Sequence, residues 1–253
     1  MAAIHDIEVV VFDVLGTMVD EPGGLRSAVR EATGLSGPTA ADGPVALWRR
    51  YCEQEQERVR QGQRPYVSTE VLDAEAARLV ARHAGVTDPG AVARLATAGR
   101  RLPAWDDSAA GLERLSRRYP VMGLSNAGRT ALLHLNAHAG LRWHPALSAE
   151  AVAAYKPAPE VYRLALDSAG CPPERVLMVA AHAWDLRGAR AVGMRTAYVH
   201  RPAGDPPTDS DDFDGRFDGL DDLVSALTSR QAEAVGQRAR LVPRSTETAA
   251  RGI

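Results

Sequence analysis

This sequence lacks several features that would identify the class of protein immediately. Only two of its 253 residues are cysteines, Cys52 and Cys171. Neither belongs to a CxxC pair or stands near a histidine at metal-ligand spacing. We therefore expect two free thiols in a reducing compartment, which excludes a disulfide framework.

The sequence also lacks an excess of basic charge and a long apolar run. Its 30 lysines and arginines are balanced by 32 aspartates and glutamates, so the electrostatic footprint of nucleic-acid binding is missing. No apolar run approaches the roughly 20 residues of a membrane-spanning helix. The N-terminal segment has acids and no basic start of a secretory signal. We expect a cytoplasmic protein with no nucleic-acid or membrane partner.

Apolar runs of strand length recur along the chain and alternate with helical patterns in its second half. Helical patterns follow residue 105, the first of them with Ser108 as a plausible N-cap. The apolar runs cover residues 7–12, 121–125, 175–181 and 195–200. This alternation predicts an α/β fold with a doubly wound parallel sheet.

A long segment without strand signals separates the first strand from this alternation. Within it, residues 43–62 and 67–85 have helical patterns. A helical insert after the first strand would cover the carboxyl ends of the sheet, where ligands bind. We therefore predict a core of residues 1–20 and 100–230, a helical cap of residues 21–99, and a weakly ordered tail of residues 231–253.

Polar side chains follow four of the predicted strands or begin the helices after them. Because parallel strands present their carboxyl ends at one edge of a sheet, we expect these side chains to converge in one crevice. They are Asp13, Thr17, Ser125, Asn126, Lys156, His182, Trp184 and Asp185.

The identity and order of these residues resemble the haloacid dehalogenase superfamily, with Asp13 at the position of its nucleophile. Most members are magnesium-dependent phosphotransferases with a second acid two residues after the nucleophile and a pair of acids in the last motif. This chain has Leu15 at the first position and only Asp185 in the last motif. Two carboxylates alone make a poor site for Mg²⁺, so we expect no metal and no cofactor.

The finer pattern is similar to the L-2-haloacid dehalogenase subfamily. The motifs FDVLGTMVD, LSNAG and AHAWD match in order and spacing, and LWRR resembles the cap element with the halide-binding arginine, here Arg49. YKPAPEVY matches the lysine motif, with Tyr162 six residues after Lys156. Five motifs in order are far more specific than any one of them.

The resemblance implies a hydrolase that displaces halide from a short 2-halocarboxylic acid through an ester on Asp13. A carboxylate is a competent nucleophile toward such a carbon. Lys156 would keep Asp13 ionised, and Thr17 would orient it. Water would then attack the ester, and Asp185 would either orient Lys156 or help activate this water. His182 is the alternative for water activation.

The remaining site residues are expected to bind the substrate. Ser125 and the backbone N–H groups near Val14 and Leu15 would hold its carboxylate, and Tyr162 would contribute its hydroxyl. By resemblance, Arg49, Asn126 and the edge of Trp184 would cradle the departing halide.

Two departures from the subfamily pattern leave other functions open. The last motif begins with Ala180, Ala181 and His182. The cap carries Glu53 and Thr69 near positions that are apolar pocket residues in the subfamily, which predicts a smaller and more polar pocket. Such a pocket would suit fluoroacetate-like acids. The alternatives are a magnesium-dependent phosphatase and a repurposed protein that does not dehalogenate. Similar proteins are usually dimers, so a homodimer is expected.

Overall fold

The computed structural model describes residue 4 and residues 6–229. Its centre is a sheet of six parallel strands in the order β3-β2-β1-β4-β5-β6. The strands are β1 (Val9–Asp13), β2 (Val121–Ser125), β3 (Ala146–Ser148), β4 (Val176–Ala180), β5 (Arg195–Val199) and β6 (Gly215–Phe217). The order reverses at β1, as in a doubly wound sheet, so the predicted fold class is confirmed.

Helices cover both faces of the sheet and its carboxyl edge. Four helices form an insert between β1 and the helix that precedes β2. They are α1 (Glu21–Thr33), α2 (Asp42–Arg60), α3 (Thr69–His83) and α4 (Pro89–Ala96). The others are α5 (Ser108–Ser116), α6 (Arg129–His138), α7 (Pro159–Ala169), α8 (Ala183–Ala191) and α9 (220–229). Short 3-10 turns lie at Ala98–Arg100, Ala149–Val152 and Pro173–Arg175.

Strand β1 is buried on both of its faces, which explains its continuous apolar run. Val10 and Phe12 pack into one apolar cluster, which also contains side chains of α1 to α5. Val9 and Val11 point to the opposite cluster with α7 and α8. The central strand is therefore buried along its whole length up to Asp13, its last residue.

The helical insert is attached to the sheet edge by three hydrogen bonds. Gly128 N donates to Thr69 Oγ1 at 2.8 Å, and Ala131 N donates to Glu70 Oε1 at 3.0 Å. These two bonds satisfy backbone donors at the start of α6, which would otherwise lack partners. Tyr155 Oη donates to Val67 O at 2.6 Å. The insert thus closes over the carboxyl ends of the strands.

The sequence prediction missed the least regular elements. Strands β3 and β6 have three residues each, and helices α1 and α4 carry prolines at their starts. The N-cap prediction for Ser108 was wrong, because α5 begins at Ser108 itself and its buried hydroxyl has no hydrogen-bond partner among the described residues. The tail of residues 231–253 lies outside the described residues. Within the described part, no helix could span a membrane.

Candidate active site

The carboxylate of Asp13 lies at the carboxyl end of β1 and is fixed by Thr17. Thr17 Oγ1 donates to Asp13 Oδ2 at 2.7 Å and accepts from Ala181 N at 2.9 Å. Thr17 is fully buried, so both bonds form away from water. The hydroxyl therefore joins the loop after β1 to the end of β4 and holds one oxygen of Asp13 in place.

Lys156 lies between two buried carboxylates. Its Nζ donates to Asp13 Oδ1 at 2.9 Å and to Asp185 Oδ2 at 2.8 Å. Burial lowers the pKa of Lys156, but the two carboxylates outweigh burial and raise it above the ordinary lysine value. Lys156 therefore remains an ammonium and supplies the positive charge beside Asp13.

Asp185 is fully buried behind Lys156 and contacts Tyr162 on its other side. Tyr162 Oη donates to Asp185 Oδ1 at 2.6 Å. Burial raises the pKa of Asp185, and the ammonium of Lys156 opposes that shift. Of the two roles predicted for Asp185, its position fits the orientation of Lys156. Tyr162 is fully buried behind Asp185 and is not part of the cavity lining.

Two other predicted substrate-binding groups also lie behind the cavity wall. Val14 and Ser125 are fully buried, and Ser125 Oγ accepts from Ala127 N at 3.1 Å. Asn126 instead lines the cavity, and its Oδ1 accepts from Lys156 N at 2.8 Å. This bond fixes the backbone of the lysine, so the amide nitrogen is the group that Asn126 has left for a ligand.

A cavity of about 580 Å³ opens above Asp13, between the sheet edge and the helical insert. Leu15, Arg49, His182 and Trp184 all line it, and the rings of His182 and Trp184 stack at 5.9 Å. Gly16 makes room for this wall: its φ is +78°, and a Cβ there would lie 2.6 Å from His182 Nε2. His182 is thereby held next to the nucleophile loop.

The cap side of the cavity is polar, but the cavity is not small. Glu53 and Thr69 line it as predicted, although the Thr69 hydroxyl is already bonded to α6. Its volume lies within the range of sites for much larger ligands than haloacetates. The predicted smaller pocket is a comparison with other members of the subfamily, so it stays a prediction.

Two further acids on this wall were not predicted. Glu21 begins α1, and Asp73 lies in α3. Burial raises the pKa of both carboxyl groups. No pattern in the sequence marks them, because α1 was not recognised and Asp73 resembles any solvated helix acid.

The donor set does not fit a magnesium ion. The ammonium of Lys156 lies between Asp13 and Asp185, so both carboxylates already have a cationic partner. Within the described ranges, no group of three His, Cys, Asp or Glu side chains is arranged to hold a metal. The carboxylates are thus neutralised by an amine of the protein itself.

A second group of residues that the sequence did not reveal holds the loop after β1. Arg201 is only 7% exposed; its Nε donates to Thr17 O at 2.9 Å, and its two terminal nitrogens bind Asp107 at 2.9 and 2.7 Å. Trp105 Nε1 donates to Gly16 O at 3.1 Å, and its ring lies 5.6 Å from the Arg201 guanidinium. Arg201 therefore positions the loop that orients Asp13.

We expect replacement of Arg201 by glutamine to lower kcat by about tenfold to a hundredfold, because small displacements of a nucleophile have effects of that size. KM should change much less, since Arg201 lies outside the cavity lining. Steady-state kinetics well below the unfolding midpoint test this. Arg114→Gln is the control, because Arg114 forms an exposed ion pair with Asp221. Equal kcat values for both variants would contradict the positioning role.

Comparisons with known proteins agree with this geometry. A family model described as haloacid dehalogenase-like hydrolase matches residues 7–193. (S)-2-haloacid dehalogenase H-109 from Pseudomonas putida is 30% identical over 202 residues, which is 78% of this chain and 88% of that enzyme. The chain belongs to the haloacid dehalogenase-like hydrolases, so the resemblance seen in the motifs is confirmed.

Solved structures place the chain beside a narrower group within that family. A crystal structure of an L-2-haloacid dehalogenase is 31% identical, with a TM-score of 0.78, and the match covers 88% of this chain and 99% of that one. A defluorinating L-2-haloacid dehalogenase is 29% identical, with a TM-score of 0.79, over 88% of this chain and 95% of that one. Each match covers 88% of this chain, so it extends over both the core and the helical insert.

Proposed function

We propose that this protein is a metal-independent (S)-2-haloacid dehalogenase, which converts short 2-haloalkanoic acids to 2-hydroxy acids and halide. One observation carries the proposal: the ammonium of Lys156 lies between Asp13 and Asp185, in a cavity that Leu15 also lines. This arrangement provides a nucleophile without a metal and without a general acid. A halide leaving group needs neither, because it departs as a stable anion.

In the first step, an oxygen of Asp13 attacks C2 of the substrate from the side opposite the halogen. The carbon–halogen bond breaks, halide leaves with the bonding pair, and an ester forms on Asp13. Thr17 and Lys156 each bind one oxygen of the carboxylate, which fixes its direction of attack. Attack from the opposite side inverts C2, so an (S)-haloacid gives an (R)-hydroxyacid.

The departing halide needs hydrogen-bond donors and positive charge on the far side of C2. Arg49, the amide nitrogen of Asn126 and the edge of Trp184 are the cavity groups that fit this role. Arg49 lies 3.8 Å from Glu53, beyond hydrogen-bond distance, and its side chain is 41% exposed. Its guanidinium can therefore turn toward an anion in the cavity.

In the second step, water attacks the carboxyl carbon of the Asp13 ester. The acyl–oxygen bond breaks, one proton of the water passes to the oxygen of the hydroxy acid, and the other is released as Asp13 is restored. His182 is the base in this proposal, because it lines the cavity beside Gly16. Asp185 acts through Lys156, and the backbone N–H at Leu15, which lines the cavity, binds the substrate carboxylate.

We also propose that the protein works in the cytoplasm and as a homodimer. The thiols of Cys52 and Cys171 are both free, in keeping with a reducing compartment. Val71 on α3 is 41% exposed and offers an apolar contact on the cap surface. Sedimentation velocity of the purified protein tests the dimer, and a monomer at micromolar concentration would overturn it.

The proposed reaction is tested by halide release from chloro-, bromo- and fluoroacetate and from both enantiomers of 2-chloropropionate. We expect release from the (S) enantiomer, unchanged by a chelator, because Lys156 replaces the cation. A phosphate ester with added Mg²⁺ is assayed in parallel. Chelator-sensitive phosphate release would indicate a phosphatase instead, and inactivity in every assay would favour a repurposed binding protein.

A further inference from the structure

The loop of residues 126–128, between β2 and α6, carries the amide that is proposed to bind the departing halide. Asn126 lines the cavity, and its Oδ1 accepts from Lys156 N at 2.8 Å. The backbone of Ala127 is held by the core, because its O accepts from Ser148 Oγ at 2.7 Å. The direction of the Asn126 amide therefore depends on where this short loop lies.

The helical insert holds the other end of this loop from the start of α3. Thr69 Oγ1 accepts from Gly128 N at 2.8 Å. Glu70 Oε1 accepts from Ala131 N at 3.0 Å, in the first turn of α6, where the helix dipole favours a carboxylate. The loop is thus fixed between the core at Ala127 and the insert at Gly128.

Glu70 also packs against the backbone of Gly128. Its Oε2 is buried and has no hydrogen-bond partner among the described residues, so this oxygen makes a packing contact. A Cβ at Gly128 would lie 2.7 Å from Glu70 Cδ and would overlap Oε2. The φ of Gly128 is −62°, which any residue can adopt, so the space for the carboxylate is what requires a glycine here.

Glu70 itself does not reach the site of the reaction. It is not part of the cavity lining, whereas Asn126 and Ala127 belong to it. Gly128 follows Asn126 by only two residues, so a displacement of the glycine moves the amide as well. A displaced amide would lose the distance and angle that a hydrogen bond to halide requires.

We propose that Glu70 is a positioning residue for dehalogenation: its carboxylate fixes Gly128 and thereby aims the Asn126 amide at the departing halide. The inference rests on the proposed function and adds a residue of the insert that acts on the leaving group without touching it. Contact of the insert with α6 thus completes the halide site of the core.

Single-turnover rates with two leaving groups test this role. Glu70→Ala should slow ester formation from (S)-2-chloropropionate by about tenfold, because the amide is displaced. The rate with (S)-2-bromopropionate should fall less, because bromide is the better leaving group and depends less on hydrogen bonds. The ratio of the bromide rate to the chloride rate should therefore rise. A purely structural role would lower both rates equally, so an unchanged ratio overturns the proposal.

Gly128→Ala is a second variant, and it leaves every polar group in place. The added Cβ expels the Glu70 carboxylate, so the ratio should change in the same direction as in Glu70→Ala. The double variant should be no slower than the slower single variant, because the carboxylate is already displaced. Effects that multiply would overturn the proposal. Glu70→Gln keeps the shape and one acceptor oxygen, so it should recover most of the chloride rate.

The control removes a different hydrogen bond at the same helix start. Glu150 Oε2 accepts from Arg129 N at 2.7 Å, in an exposed position where water can replace it. Glu150→Ala should therefore leave the ratio of the two rates at its wild-type value. A rise as large as that of Glu70→Ala would mean that any weakening of α6 has this effect, and it would overturn the proposal.

A binding measurement separates this inference from the proposed function. Sodium bromide is titrated into isotope-labelled protein, and the side-chain amide signal of Asn126, identified with Asn126→Asp, is followed by NMR. The signal should shift with bromide in the wild type, and in Glu70→Ala only at a higher concentration. That result supports the inference even if no halide is released from any acid. An equal response of both proteins, or none in the wild type, overturns it even if 2-chloropropionate is dehalogenated.

Discussion

Replacing Lys156 by glutamine is expected to reduce halide release by about a thousandfold and to lower the free energy of unfolding by about 3–5 kcal/mol. The ammonium is the shared donor to Asp13 and Asp185, which would face each other without a cation in the variant. Halide release and urea unfolding measure the two effects.

A second substitution separates the electrostatic role of Lys156 from its catalytic one. Adding Asp185→Asn to Lys156→Gln removes one of the two stranded carboxylates. The double variant should recover much of the lost stability, while its activity stays low because Asp13 still lacks its ammonium. Recovery of both would contradict a direct role for Lys156 beside the nucleophile.

The pH range of this stabilisation follows from the direction of the lysine pKa. The folded-state pKa of Lys156 is raised above its ordinary value of 10.5. The stabilisation is therefore fully present below pH 10.5 and is lost as the pH rises through the folded-state value. The wild type and Lys156→Gln should differ in stability by the same amount across neutral pH, and the difference should shrink as the pH rises into strong alkali.

Replacing Asp13 by asparagine should reduce halide release by at least about ten-thousandfold, to the background rate. The amide keeps the size of the side chain and a bond to Thr17, but it is not a competent nucleophile. The variant should fold well, because Lys156 then pairs with Asp185 alone. The measurement is chloride release from (S)-2-chloropropionate beside a thermal melt.

The control for Asp13→Asn is Asp167→Asn, which removes an exposed acid on α7. It should have wild-type activity. If Asp13→Asn retained the activity of this control, the nucleophile would be another group. If it retained the protein's biological role without any halide release, a repurposed binding function would be favoured.

Much of the site could be predicted from the sequence because its residues follow strands. Asp13 ends the apolar run of β1, and Asn126 and His182 follow β2 and β4. Strand ends converge in any parallel sheet, so the motif order already implied that these groups meet. The contact between Lys156 and Asp13, 143 residues apart, is the clearest case.

The rest of the site depends on packing that a sequence pattern does not encode. Tyr162 belongs to the lysine motif, yet the turn of α7 points its hydroxyl at the rear of Asp185. Arg201 lies in a Pro- and Asp-rich loop with no helical or strand period, and only the fold brings it to Thr17. Glu21 on α1 and Asp73 on α3 both line the cavity, although the two helices are far apart in the sequence.

The most direct test of the ester on Asp13 is a single turnover in heavy-oxygen water with enzyme in excess over (S)-2-chloropropionate. Water attacks the carboxyl carbon of the ester, so the account predicts that the label appears in Asp13 and that the first hydroxy acid formed is unlabelled. Mass spectrometry of the peptide that contains Asp13 reads out the result. Label in the hydroxy acid alone would contradict the account, because water would then have displaced the halide directly.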